Sequence, residues 1–427
     1  GGLAASARVV RPAHSGLRGR GEGVCTRTMT VSASLHSRRP IDPVIRPMHD
    51  FVPRSSVLRL RARLARRLAL VSLGGLALLL GVTLSLVALA LSCAGQAWAA
   101  IGEGEPLRTL SWVCAGLVSV ALALGGLKAL LQLGPRPEGI RLPRAAAEDL
   151  FRLLDDLAWR AGVEPVAHVR ITDEVNAIVV QRPGFVLPGA MRTELLIGLP
   201  LVHCLSPAQL AAVLAHEFGH LAAQRQGWCG WAGWLRAAWV RALDALLAIV
   251  PSRLPWLGEH AERFCHDMLR LARIEELEAD AVAARLVGPD LLGETLVELS
   301  RKSHFLQHDY WPRVHALQTA DAASAVRPFR EMAHGFAAGF SHAAIAADPA
   351  LALDEARAGL FHPSLRRRLR ALRVSAAALP SDASSAATHF FASLLPSLAW
   401  IFDRVWWEGA RIRRHPMVVP DDDRAWP

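Results

Sequence analysis

Apolar and polar positions alternate in three different ways along this chain. From Leu68 to Gly102 there is no charged residue, and Leu68 to Ala94 is dominated by Leu, Val, Ala and Gly. A second uncharged run goes from Thr109 to Leu127 and stops at Lys128. A bilayer core takes about 20 apolar helical residues, and both runs are long enough. A buried core helix is the alternative for either run, but their length and purity favour spans at about 68–94 and 109–127. A cleaved signal peptide does not fit the first run, which is too long and has a long basic arm ahead of it.

Beyond Gly134-Pro-Arg-Pro-Glu-Gly139, a linker, the pattern becomes that of a folded domain. Ala145 to Arg160 has a helical apolar period. Val169–Thr172 and Ala177–Gln181 read as short strands around a turn, and Leu195–Leu201 as a third strand. The rest, as far as Arg373, is mostly helical. Trp228 to Val250 is long enough to span but contains Arg236, Arg241 and Asp244, which are expensive in lipid. An interfacial or buried amphipathic helix is expected there. The organisation is therefore a basic arm (1–57), a two-helix hairpin (58–135), a domain at 142–375 and a C-terminal extension (376–427). The expected fold class is mainly α with a small β-sheet.

Charge refines this picture. The net charge is +10, yet residues 1–67 hold 14 Arg against Glu22, Asp42 and Asp50, so the remainder carries about −1. The arm, rich in Arg, Gly, Ser and Pro, is expected to be disordered. It opens on Gly-Gly with Met29 and Met48 nearby, so part of it is expected to be either an over-long gene start or a cloning remnant, and no fold is assigned to it. Its position before a span makes anionic lipid the expected partner, and no nucleic acid is expected. Arg59, Arg61, Arg63, Arg66 and Arg67 precede the first span, and Lys128, Arg136, Arg141 and Arg144 follow the second. Positive flanks stay cytoplasmic, so the loop at Arg108 faces out and the domain faces the cytosol. The six cysteines include no CxxC pair, which fits a reducing compartment better than a disulfide framework or thiolate zinc site.

The chemistry is concentrated in Ser206-Pro-Ala-Gln-Leu-Ala-Ala-Val-Leu-Ala-His216-Glu217-Phe-Gly-His220. Ser206, Pro207 and Gln209 form a helix-start signature, with Ser206 and Gln209 able to make a capping box. His216 and His220 then lie one turn apart on one face, where two imidazoles can share a zinc ion. Glu217 can take a proton from a metal-activated water and return it to a leaving amine. Helix histidines with ordinary partners and no metal are the alternative. A third ligand is required, and Arg273-Ile-Glu-Glu276-Leu-Glu-Ala-Asp280 supplies candidates. Glu276 and Asp280 share a face, so Glu276 can ligate and Asp280 can fix a histidine tautomer. On spacing alone, an acidic solvated face is the competing account.

His216-Glu-Phe-Gly-His220, followed by Glu276-Leu-Glu-Ala-Asp280, resembles the zinc metallopeptidase family of HtpX and the CAAX prenyl protease. Phe361-His362-Pro363, with Arg368 six residues after the histidine, resembles that family's His-Pro element, although the family more often has Ser or Thr at Phe361. Asn176-Ala177 resembles the Asn-Ala of the strand beside its active cleft. The similarity covers about residues 145–375, with the elements in the same order. It implies a zincin-like domain binding one Zn2+ through His216, His220 and Glu276, with Glu217 as general base. It places His362 near the substrate carbonyl, pairs Arg368 with acidic groups such as Asp280, and puts Asn176 and Ala177 at the substrate. An extended substrate is expected to add along Ala177–Gln181. The expected function is a membrane-anchored zinc endopeptidase of a bacterial inner membrane, acting on polypeptides. Misfolded membrane proteins are its substrates by that analogy. The other reading is a non-catalytic membrane scaffold that keeps the fold for binding.

Overall fold

The computed structural model describes residues 55–131, 138–183, 191–224, 229–249, 255–320, 326–340, 362–375 and 384–414. The expectations for the basic arm before Ser55, for most of the linker and for Phe361 lie outside the described residues. Two N-terminal helices come first: α1, Ser55–Gly102, and α2, Pro106–Leu130. Both are long and apolar enough to cross a membrane. Leu84, Leu89 and Leu91 on α1 and Leu117 and Leu124 on α2 are exposed, as lipid-facing positions would be. The turn between them carries Glu103 and Glu105, and Arg108 Nη1, from the first turn of α2, donates to Glu103 Oε2 at 2.6 Å.

The domain begins with β1, Ile140–Leu142, then α3, Glu148–Ala161. Strands β2 (His168–Thr172), β3 (Ala177–Pro183) and β4 (Met191–Gly198) complete one sheet of order β1-β2-β4-β3. β2 and β4 are parallel; β1 and β3 pair antiparallel with their neighbours. β3 is therefore an edge of the sheet among the described residues. The run Leu195–Leu201 is not one strand: it stops at Gly198 and continues as α4, Leu199–Cys204, with Pro200 in its first turn. Proline suits a helix start, where its missing N–H costs nothing.

The helices that follow are α5 (Pro207–Gln224), α6 (Cys229–Ile249), α7 (Pro255–Val287), α8 (Pro289–Phe305), α9 (Trp311–Ala320) and α10 (Met332–Gly339). After them come α11 (Leu365–Leu372), α12 (Ala386–Phe391) and α13 (Leu395–Arg414). α7 ends where its sequence says it should, at Gly288 with φ 93° and Pro289. The chain is thus mostly helical with a small mixed sheet. The main core joins α3, the sheet, α5 and α8 through Leu154, Ile171, Leu195, Ile197, Leu214 and Phe218. The aromatic tail belongs to the same core, because Phe391 and Phe402 are buried in it. A second core joins α1, α6 and α7 through Leu64, Leu68, Trp239, Leu243 and Phe264. The Trp-rich stretch expected at 228–250 is α6, packed along α1.

Candidate metal centre

The centre is built where α5 crosses α7. The capping box at the start of α5 is half made: Ser206 N–H donates to Gln209 Oε1 at 2.8 Å. The reciprocal Ser206 Oγ finds no partner among the described residues. Leu210, Leu214, Ala215 and Phe218 bury one face of α5. That burial turns His216 and His220 towards α7. The approach of the two helices depends on Gly219, since a Cβ there would lie 2.8 Å from the Ala279 carbonyl oxygen and 2.9 Å from its Cα. Any side chain at 219 would push α7 away and separate the histidines from Glu276.

Three groups then converge. His220 Nε2 lies 3.2 Å from His216 Nε2. Glu276 Oε1 is 3.3 Å from His220 Nε2, and Oε2 is 3.7 Å from His216 Nε2. All three ligand atoms lie within 4.8 Å of one another, so His216, His220 and Glu276 can hold a metal ion. Tetrahedral zinc bonds of about 2.0–2.1 Å set ligand atoms roughly 3.3 Å apart, and the observed spacings match. The donor set also fits: two imidazoles and one carboxylate leave a fourth position open.

The surroundings orient this set. His216 Nδ1 is 3.0 Å from Asp280 Oδ1, which fixes the proton there and leaves Nε2 for the ion. Arg368 grips Asp280 with two bonds, Nε to Oδ2 at 2.8 Å and Nη2 to Oδ1 at 2.6 Å. His362 Nδ1 lies 2.7 Å from Glu276 Oε2, out of line for a hydrogen bond. Both ring nitrogens of His362 and Glu276 Oε2 are buried with no hydrogen-bond partner among the described residues. Buried orphans of this kind mark a place for another group.

The electrostatics follow the same arrangement. Burial works against the Glu276 carboxylate, but His220, His362, His216 and Arg368 outweigh it and hold its pKa well below the usual range. Burial also opposes the Asp280 carboxylate, which Arg368 and His216 pull down to about 2. Glu217 goes the other way. Burial raises its pKa, although His220, His216 and the Val179 N–H favour its charged form.

Glu217 Oε2 accepts from Val179 N–H on the edge strand β3, at 3.2 Å. Asn176, Ala177, His216, Glu217 and Arg368 line one small cavity of about 30 Å³, room for a water molecule or two. Every residue singled out from the sequence therefore lies at or beside one site. His362 sits against the Glu276 carboxylate.

The sequence reading missed Arg61, which it counted only as a flanking charge. In the structure Arg61 Nη2 donates to Ala223 O near the end of α5 at 3.2 Å. Its Nε lies 2.9 Å from Glu278 Oε2 on α7. One arginine of α1 thus ties α5 and α7 together, two or three residues from His220 and Glu276. Nothing distinguishes it in sequence from its four arginine neighbours. Arg61→Ala is expected to weaken metal affinity about tenfold, the low end for groups that act through a ligand's neighbours. Chelator competition on the full chain measures this, with partial rescue by Arg61→Lys; an unchanged affinity would refute the role.

Comparisons of the chain with protein-family models, with curated proteins and with solved structures returned no match.

Proposed function

We propose that this chain is a membrane-anchored zinc endopeptidase with a zincin-like domain on the cytosolic side of the membrane. The observation that carries this is the convergence of His216, His220 and Glu276, with Glu217 beside the gap and Asp280 behind His216. The likeness of these motifs to the HtpX and prenyl protease family points the same way. So do the two apolar helices and the arginines that precede them.

Zinc, when bound by the two histidines and Glu276, supplies a Lewis acid that polarises the scissile carbonyl and makes a water acidic. The chain's own groups do the rest. Asp280 holds the His216 proton on Nδ1, and Arg368 holds Asp280 charged. The edge of β3 offers backbone groups to an extended peptide, which is sequence-tolerant recognition. Val179 N–H keeps the Glu217 carboxylate beside that edge. Glu217 takes the proton of the attacking water and delivers it to the departing amine. His362, beside Glu276, would stabilise negative charge developing on the carbonyl oxygen.

The test is metal removal. The purified full chain is expected to hold about one zinc per protein, in keeping with three protein ligands and an open position. A chelator should abolish casein cleavage, and zinc should restore it. Cleavage that survives complete stripping of the metal would end this reading.

A further inference from the structure

The apolar run of α1 is longer than a bilayer needs, and the structure shows where the excess goes. α1 and α2 run antiparallel in a defined register. A Cβ on Gly116 would touch Cys93, and one on Gly126 would touch Thr83. Each step up α1 is one step down α2, so Lys128 stands level with Gly81. From that level to Gly102 α1 climbs about 31 Å, which is one hydrocarbon core. Glu103, Glu105 and Arg108 cap the far end.

Below Gly81, α1 packs against α6 and α7. α7 runs down its side: Arg67 Nη1 meets Asp267 Oδ2 at 3.0 Å, and Arg61 meets Glu278. Higher up, the Trp239 ring packs against Gly75 and lies 6.1 Å from the His260 ring, centroid to centroid. Beside His260 the side chains of Glu259 and Arg263 are 68% and 73% exposed. Exposed charges at that height are costly in the hydrocarbon core, which argues for water or headgroups rather than acyl chains beside Gly75. Leu68, Val71, Leu76 and Leu79 are instead packed with α6 and α7. Leu70, Leu73, Leu78 and Leu80 remain exposed on the side of this segment away from α6 and α7.

The distance to the metal follows. Arg61 touches Ala223 and Glu278, next to the ligands, and lies about 20 residues below Gly81. At 1.5 Å per residue the centre stands about 30 Å from the lipid. Building on the peptidase reading, we propose that α1, α6 and α7 form a stalk that sets a minimum reach for substrates. The centre takes cytosolic tails and loops of membrane proteins whose scissile bond lies at least about nine extended residues, at roughly 3.3 Å each, from the bilayer. Bonds at the lipid surface are not cleaved.

The experiment uses the full chain in lipid vesicles. Single-span substrates carry one cleavable sequence at about 4, 8, 12 or 20 unstructured residues from the membrane, spacings chosen around that reach. Cleavage at the two longer spacings is expected to exceed that at the shortest by tenfold or more. Equal rates at the shortest and longest spacings would overturn the proposal. A second arm does not depend on activity. With Cys25, Cys114 and Cys229 replaced by Ser as parent, Leu73→Cys is expected to react with an impermeant maleimide at least tenfold faster than Leu84→Cys. If both are shielded alike, the stalk is wrong. Loss of casein cleavage as well would overturn the peptidase reading, and the labelling arm would still decide the stalk.

Discussion

Glu217→Gln is expected to lower kcat/KM for an unfolded protein substrate by about 10²–10⁴-fold while leaving bound zinc at one per chain. The reasoning starts from what each position does. The group that can hold a metal ion, His216, His220 and Glu276, is not altered. Glutamine keeps the shape of the side chain and can still accept from Val179 N–H. It cannot take a proton from water or return one to the leaving amine. The loss therefore belongs in kcat rather than in metal content or folding. The comparison also separates the two classes of function. A scaffold that only binds polypeptide would capture substrate equally well with either side chain at this position. An enzyme would capture it and fail to release products. Measuring zinc content, substrate binding and single-turnover cleavage on the same preparation gives all three answers. A variant cleaving at the parent rate would dismiss Glu217 as the base.

Much of the site was legible in the sequence because the chemistry is carried by short helical spacings. His216 and His220 are four apart, as are Glu276 and Asp280, and a helix turns such pairs to one face without help from the rest of the fold. The Gly288-Pro289 stop was equally local. What the sequence did not disclose depends on long-range packing. Pro200 turns a strand-like apolar run into a helix start, a choice that hydrophobicity alone cannot make. Gly219 matters only because Ala279 of α7 lies against it. Arg61 matters only because α1 descends beside both α5 and α7. Uncharged length, likewise, could not show that Leu68, Val71, Leu76 and Leu79 pack against α6 and α7. The aromatic tail read as a separate extension because its partners lie in α4, α5 and the segment around Phe329.

Arg368→Met is expected to damage both stability and metal binding, for a reason the geometry makes plain. Asp280 is 1% exposed and Arg368 7% exposed. Two short bonds join them, and the only other partner of the Asp280 carboxylate among the described residues is His216 Nδ1. Removing the guanidinium leaves a buried carboxylate without its counter-charge, which typically costs about 3–5 kcal/mol. At roughly 2–4 °C per kcal/mol for a domain of this size, the thermal midpoint falls by about 10 °C. Part of that cost is avoided if Asp280 takes up a proton. A protonated Asp280 no longer favours the His216 tautomer that presents Nε2 to the metal, so zinc affinity falls by about 10–100-fold. Arg368→Lys should recover some stability, because a point charge remains, but not the two-pronged geometry that holds Asp280 in place. Adding Asp280→Asn to Arg368→Met removes the stranded charge, so stability rises again while zinc affinity stays low. Melting curves with and without zinc, together with chelator competition, distinguish these effects. If the single Met variant melts within a degree or two of the parent and binds zinc as tightly, Arg368 and Asp280 do not support the centre in the way their geometry implies.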